Sequence, residues 1–276
     1  MIFKDKTVVI TGGSDGVGAA TARLFADAAA NLMLVARGKR KLEAMAEELR
    51  DKTRVEVFAM DVADADACAD LFKKTEFEFG RVDILVNNAG YHKRGPFENV
   101  TADDHGIMVD VNLRAPIMLT RIALPYIQAQ GGGVIVNVGS LAGWQPLPGQ
   151  ATYSATKAGL RTFTYALSEE LRGSGVKLAL VSPGPLDTGF IMDNLDVVAD
   201  LTMSQPISTA EEVARAVVDI CGNRQKEIAM PASTAVLSRI NAAMPWLRRL
   251  IQPVLEKKGA RVKERLRAEK EASEEN

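Results

Sequence analysis

The chain has 276 residues, 47% of them hydrophobic and 25% charged, enough to bury one sizeable core and near the upper end of ordinary single-domain length. A formal net charge of -1 gives no global attraction to nucleic acid or to an anionic membrane surface. Cys68 and Cys221 form no CxxC pair, which argues against a disulfide framework or a cysteine-rich zinc site and for a reducing, cytoplasmic setting. The first residues run straight into strand-like sequence at Thr7, so no signal peptide is expected, and no apolar run reaches membrane-spanning length.

Short β-branched runs alternate along the chain with longer helical patterns. They predict strands over residues 7–11, 31–36, 54–60, 82–86, 133–138, 176–181 and 227–229, with helices between them. The runs are mostly apolar, as parallel strands covered on both faces require, and right-handed crossovers then give an α/β doubly wound parallel sheet of about seven strands. Ligands of such a sheet bind in the crevice outside the carboxyl ends of the strands.

The first predicted strand runs into Thr11-Gly12-Gly13-Ser14-Asp15-Gly16-Val17-Gly18, followed by an alanine-rich helical run over residues 19–30. Gly12 permits a tight turn, Gly16 lets backbone approach a pyrophosphate, and Gly18 allows the helix to pack closely on the sheet. The positive end of the helix then faces the phosphates. Strand, glycine turn and helix make this a Rossmann-like cofactor site, although G-x-x-x-G-x-G departs from the generic G-x-G-x-x-G and a purely structural turn is the alternative. The second strand ends at Val35-Ala36-Arg37, where an NAD-specific site would place an acid. Arg37, with Lys39 and Arg40 behind it, offers a charged fork to a 2′-phosphate, so NADP(H) is favoured over NAD(H). Asp15 places an opposing negative charge in the glycine loop, and a solvated cluster at a helix start is the other account of Arg37.

Three further segments carry chemistry. Asn112 lies inside a helical run where Asn is a mediocre helix former, with packing or capping as the alternative to a functional role. Ser140 closes the predicted strand over residues 133–138, at the sheet edge where its hydroxyl can meet a substrate oxygen. Tyr153 and Lys157 stand at i and i+4 on one helical face. A tyrosine hydroxyl titrates near pH 10, and a neighbouring cation such as Lys157 brings it toward neutrality. His92 and His105 have no companion ligands at metal spacing, so no metal site is expected. Leu141, Trp144, Leu147, Phe190, Ile191 and Met192 fall in segments that should wall the substrate cleft and would suit a small to medium, apolar substrate, unless they only pack a lid on the core.

Together these motifs carry a resemblance. The TGxxxGxG turn from Thr11 to Gly18, the strand end Asn87-Asn88-Ala89-Gly90, Ser140 before the YxxxK of Tyr153 and Lys157, and Pro183-Gly184 resemble the compact branch of the short-chain dehydrogenase/reductase family. The resemblance implies an NAD(P)(H)-dependent oxidoreductase that interconverts a ketone or aldehyde and an alcohol, with Tyr153 as general acid/base in a tetrad of Asn112, Ser140, Tyr153 and Lys157. In that family Asn112 would hold a water relaying protons to Lys157, Ser140 would position the substrate oxygen, and Lys157 would also bind the nicotinamide ribose. Ser14 and Val17 would lie on the cofactor's phosphate side, Asp61 and Val62 would flank the adenine, Asn88 to Gly90 would lie along the cofactor, and Pro183, Gly184 and Thr188 would border the carboxamide. A cofactor-binding regulator or scaffold without turnover is the alternative, which the intact tetrad disfavours. Pro185 and Asp187 depart from the family pattern beside the nicotinamide.

Residues 1–230 are therefore expected to form the catalytic domain and residues 231–276 a basic helical extension, with ten Lys or Arg against six Glu. Leu237, Ile240, Met244, Leu247, Ile251 and Val254 form one apolar stripe interrupted by Pro245 and Pro253, and the charged run after Gly259 is expected to fray. The stripe suits a substrate lid or the interface of a homodimer or homotetramer. Contact with a membrane surface is the less favoured reading.

Overall fold

The computed structural model describes residues 2–145, 147–187 and 198–274. Seven strands form one parallel sheet: β1 (Thr7–Thr11), β2 (Asn31–Ala36), β3 (Val55–Ala59), β4 (Ile84–Asn87), β5 (Gly133–Val138), β6 (Val176–Pro183) and β9 (Glu227–Met230), in the spatial order β3-β2-β1-β4-β5-β6-β9. The chain winds outward from β1 to β3 and then returns to place β4 beside β1. The winding direction reverses there, so the ends of β1 and β4 open a crevice.

Strand alternation divides the interior into two layers. Val8, Ile10, Leu32, Leu34, Val86 and Val136 pack on one face against α1 (Gly16–Asp27), α2 (Lys39–Leu49) and α8 (Ala210–Gly222). Val9, Met33, Val35, Leu85 and Ile135 point the other way, onto α3 (Ala65–Phe79) and α5 (Ala115–Ala129). The segment Ala151–Glu170 forms α6, and a shorter helix, α4 (Ala102–Val109), precedes α5.

The structure departs from the sequence pattern at some strand ends. β6 runs on to Pro183 because Ser182 and Pro183 pair with Ala229 and Met230 of β9. A small parallel pair of β7 (Leu186–Asp187) and β8 (Ser208–Thr209) was not anticipated. Two-residue strands carry too little periodicity to be read.

The tail forms two helices, α9 (Ala232–Ala243) and α10 (Pro245–Glu274), divided at Pro245, which opens the second helix where a missing N–H costs nothing. Neither Pro253 nor the charged run after Gly259 ends α10, contrary to expectation. Its packing explains this. Gly259 lies so close to α7 (Asp200–Met203) that an added Cβ would overlap the Asp200 carbonyl. Val262 and Leu266 cover Val198 and Met203, and Lys263 donates to the Val198 carbonyl at 2.9 Å.

One buried acid fastens the amino edge of the sheet. Asp83, 4% exposed at its side chain, accepts from Arg81 Nε and Nη2 at 2.6 Å each, from Lys6 Nζ at 3.0 Å and from the Thr7 N–H at 2.9 Å. Burial pushes its carboxyl up, but the hydrogen bonds from Arg81, Thr7 and Lys6 outweigh this and hold it below the usual 3.8. Asp83→Asn is therefore expected to cost about 3 kcal/mol near neutral pH, at the low end for a broken buried pair because Arg81 and Lys6 are partly solvated. A depressed folded pKa contributes stability that is complete above the unfolded value and fades as the pH falls through the folded one. Urea unfolding of both proteins should show the gap narrowing below about pH 4. A gap independent of pH would contradict the assignment.

Candidate active site

The glycine turn is built by close approach. Gly12 and Gly16 hold positive φ angles of 67° and 51°, and a Cβ on Gly18 would fall 2.0 Å from the Gly12 carbonyl oxygen. Helix α1 can meet the turn only because Gly18 has no side chain. Asp15 caps this helix by accepting from the Gly16 N–H at 2.8 Å, and its other oxygen takes Lys41 Nζ at 2.8 Å. The Lys41 and Gly16 hydrogen bonds hold its carboxyl below the usual range.

The β4 end is tied to the same turn. Thr11 Oγ1 accepts from the N–H groups of Asn88 and Ala89, both at 3.0 Å, and Asn88 Nδ2 donates to the Thr11 carbonyl at 2.9 Å. Beyond it lies a cavity of about 470 Å³. Gly12, Gly16, Val17, Asn88, Ala89 and Gly90 line one end, and Ser140, Leu141, Tyr153, Lys157, Pro183 and Gly184 line the other. Ser14 and Gly18 belong to the turn itself. Exposed Arg37 follows β2, and exposed Asp61 and buried Val62 follow β3, at the same edge of the sheet. Thr188 and Phe190, with Ile191 and Met192, lie outside the described residues. A continuous trough from a glycine-lined helix end to a Tyr and Lys pair has the form an extended dinucleotide requires.

Within the cavity, Lys157 Nζ donates to the Val138 carbonyl at 2.9 Å and sits 5.8 Å from the centre of the Tyr153 ring. Burial pushes the Lys157 ammonium down to about 8. Burial also pushes Tyr153 up, against which a hydrogen bond with Ser140 and the positive charge of Arg94 act. Ser140 Oγ is fixed in turn by the Ala142 N–H at 3.1 Å. Both members of the pair are thus displaced toward their neutral forms, as desolvation dictates.

Asn112 occupies a π-helical turn, Asp110–Arg114, between α4 and α5. Its side chain is fully buried and clamps the backbone of Tyr91, accepting from the N–H at 2.9 Å and donating to the carbonyl at 2.7 Å. The clamp holds the segment after Gly90, which contributes two side chains that sequence reasoning did not place in the site. The His92 ring stacks on Tyr153 with centroids 4.0 Å apart and planes within 12°. Arg94 lines the cavity and donates from Nε to His92 Nδ1 at 3.3 Å. Their position just past the carboxyl end of β4 was the signal available in the sequence.

Trp144 was expected on the cleft wall and is not among the described residues that line the cavity. Its indole N–H donates to Glu227 at 3.1 Å, and its ring lies between the guanidinium groups of Arg161 and Arg239. The physical reason is the pull of a buried carboxylate on an N–H that an apolar wall would leave unpaired. Leu141, Leu147, Pro185 and Leu186 give the cavity an apolar part, but Arg94, Gln145 and Gln150 line it as well. An entirely apolar substrate would leave those polar groups poorly matched.

Comparison with known proteins shows the family to which the chain belongs. The family model for short chain dehydrogenases matches residues 6–196. Sulfoacetaldehyde reductase 2 of Chromohalobacter salexigens is 40% identical over 187 residues, 67% of this chain and 74% of that protein. An uncharacterized oxidoreductase of Staphylococcus epidermidis is 34% identical over 185 residues, 67% of this chain and 80% of its own length. In three dimensions, a metagenomic short-chain oxidoreductase solved in complex with NADP superposes with a TM-score of 0.71 at 29% identity. The match covers 83% of this chain and 98% of that one.

The clamp on Tyr91 makes a prediction that needs no substrate. Asn112→Ala strips two backbone groups of their partners and should cost about 2 to 4 kcal/mol, since a buried group left unsatisfied carries its desolvation penalty. Hydrogen exchange should show the Tyr91 amide losing protection before its neighbours in β4. Unchanged protection would mean that other groups hold this segment.

Proposed function

The chain is a member of the short-chain dehydrogenase family and an NAD(P)-dependent oxidoreductase acting between carbonyl and alcohol, and from that premise we propose that Tyr153 is its general acid/base and that its substrate is a small carbonyl compound. The observation that carries this reading is the convergence of Ser140, Tyr153 and Lys157 on one cavity with the glycine turn. A bound nicotinamide would supply the hydride chemistry at the carbonyl carbon, and Gly12, Gly16, Asn88, Ala89 and Lys157 are lining residues that would hold the cofactor. In reduction, Tyr153 Oη gives its proton to the oxygen as negative charge develops there, and the reverse holds in oxidation. Ser140 positions that oxygen and shares its hydrogen bond with Tyr153. Lys157 keeps a positive charge within the site. A short aldehyde is what the name of the Chromohalobacter relative specifies, in keeping with the cavity.

Tyr153→Phe removes only the hydroxyl and should lower turnover by a hundredfold or more, a usual scale for lost proton transfer. Melting temperature and cofactor affinity should barely change. A screen of short aldehydes and ketones with NADPH and NADH supplies the assay, and near-wild-type turnover by the variant would remove Tyr153 from the mechanism. The rate of reduction should also fall as the pH rises through about 8, where Lys157 loses its proton. A profile flat across that range would separate the lysine charge from the chemistry.

We propose further that NADP(H) is the preferred cofactor. Arg37 stands exposed at the end of β2, where Ala36 leaves no carboxylate to repel a phosphate. The opposing charge of Asp15 is offset by its pair with Lys41. Arg37→Ala should weaken NADPH binding by roughly ten- to a hundredfold, the worth of a charge-assisted hydrogen-bonded fork, with little change for NADH. Lys41→Ala should weaken NADPH binding by a smaller factor, by uncovering Asp15. Fluorescence titration of both cofactors against the three proteins decides it, and tighter NADH binding by the wild type would reverse the assignment.

The tail helices are proposed as part of the substrate wall. Gln145, at the cavity's edge, donates to Ser238 at 3.2 Å and accepts from Asn241 at 3.3 Å, both on α9. Ile240, Trp246 and Val254 of the same two helices keep apolar surface exposed, where a homodimer or homotetramer contact could form.

A further inference from the structure

We infer that Arg94 is an anion-recognition residue of the substrate site, so that the carbonyl compound carries a carboxylate or sulfonate a few bonds from its reacting carbon. The inference rests on the reductase reading of this cavity and adds the charge of its substrate. Arg94 shares the cavity lining with Ser140 and Tyr153, the groups that face the reacting oxygen. It is half-buried, held by the Asn112 clamp on Tyr91 at one end and by the bond from Nε to His92 Nδ1 at the other. The His92 ring lies flat on Tyr153, so the guanidinium is placed relative to the catalytic hydroxyl through a rigid spacer two residues away in the chain.

The electrostatics of the cavity favour the same ligand. Burial first, then the charges of Arg94 and Lys157, push His92 down to about 3, so the ring stays neutral and accepts from Arg94 throughout the working pH range. Among the described residues, Arg94 and Lys157 are the cations that line this end of the cavity. Among the described residues that line it, Asp15 is the one carboxylate, and it lies at the glycine-turn end, paired with Lys41. A cleft with low-dielectric walls and cationic side chains in its lining concentrates anionic ligands. A guanidinium offers carboxylate and sulfonate oxygens two parallel N–H donors, a geometry neither a hydroxyl nor an amide reproduces. Because Arg94 adjoins Tyr153, the anionic group must lie near the carbonyl, which points to a short, bifunctional molecule.

The test compares size-matched aldehydes with and without charge, using NADPH and the intact protein. Sulfoacetaldehyde and succinate semialdehyde are the anionic probes, and 3,3-dimethylbutanal and pentanal the neutral ones. Wild type should favour an anionic probe in kcat/KM by tenfold or more, and the two anions tell which oxyanion fits. In Arg94→Met that ratio should fall by roughly ten- to a hundredfold, the range for a charge-assisted pair, with Arg94→Lys between. Melting curves establish that each variant folds. The second readout is calorimetric binding of isethionate, the sulfonate-bearing alcohol, to the NADP⁺-saturated protein, which should be lost in Arg94→Met. A wild-type preference for neutral aldehydes, a proportional loss for both classes in Arg94→Met, or equal isethionate binding by wild type and variant each overturns the inference. Isethionate binding that depends on Arg94 in a protein that reduces none of the probes would leave the anion site standing and count against the reductase reading instead.

Discussion

The Thr11 hydroxyl joins the two strand ends between which the chain reverses its winding. It accepts from the N–H groups of Asn88 and Ala89 and donates to the Val86 carbonyl at 3.3 Å. Parallel strands end with orphan N–H groups, and at a switch point no neighbouring helix covers them. A single buried hydroxyl meets that need and sets the spacing between the glycine turn and the segment after β4. Everything on the cavity floor takes its position from this joint. Gly12 is pressed against Asn88 and Ala89 so closely that a Cβ would meet Asn88 Nδ2 at 2.8 Å, and the chain leaving Gly90 is directed toward the Asn112 clamp.

Burial of polar side chains continues this logic toward α6. Asn87 Nδ2 donates to Asn137 Oδ1 at 2.8 Å, and Asn137 Nδ2 donates to Thr164 Oγ1 at 2.8 Å. Thr164 in turn donates to the Leu160 carbonyl. This buried chain runs from β4 through β5 into α6, the helix that bears Tyr153 and Lys157. On the far side of that helix Glu227 receives Trp144, Arg161, Tyr165 and Ser182. The loop that follows Ser140 is thereby fastened to the same helix and to the outer strand. Each such group would be costly if left unpaired in an apolar interior, so the networks fix one arrangement more sharply than apolar packing alone. A turn at Leu141–Gly143 completes the fit, since a Cβ on Gly143 would lie 2.7 Å from the Lys157 backbone.

Much of this was legible in the sequence because it is written in local patterns. Seven apolar runs at βαβ spacing give the sheet, the glycines give the turn, and an i, i+4 pair after a serine marks the side chains that meet in the cavity. What was not legible depends on contacts between distant segments. Nothing around Trp144 announces that its N–H will find Glu227, 83 residues away. The partner of Asp15 is 26 residues off on another helix, so the sequence shows its charge but not its neutralisation. The charged run after Gly259 reads as unable to hold a helix alone, and its order comes from α7, a four-residue helix too short to read. His92 and Arg94 follow a motif that was recognised, yet their place beside Tyr153 depends on contacts such as the clamp from Asn112 on Tyr91 and the stacking of the His92 ring.

The arrangement around Tyr153 places two ionisable groups where burial opposes the charge of each. Burial works in opposite senses on the two partners, pushing the tyrosine up and the lysine down to about 8. Both shifts reduce charge, whereas proton transfer needs a phenol whose conjugate base is tolerable and an ammonium that persists near neutrality. Lys157 meets the second need with little to spare, held by one carbonyl of β5. For Tyr153 the compensation comes from the Ser140 hydrogen bond and from Arg94. The cation proposed to read the substrate is then also the one that eases formation of the phenolate. Binding an anion at Arg94 would withdraw part of that help. The tyrosine should therefore be a weaker acid with an anionic substrate bound than in the free protein, and so hold the proton it must deliver until the oxygen of the substrate becomes basic enough to take it.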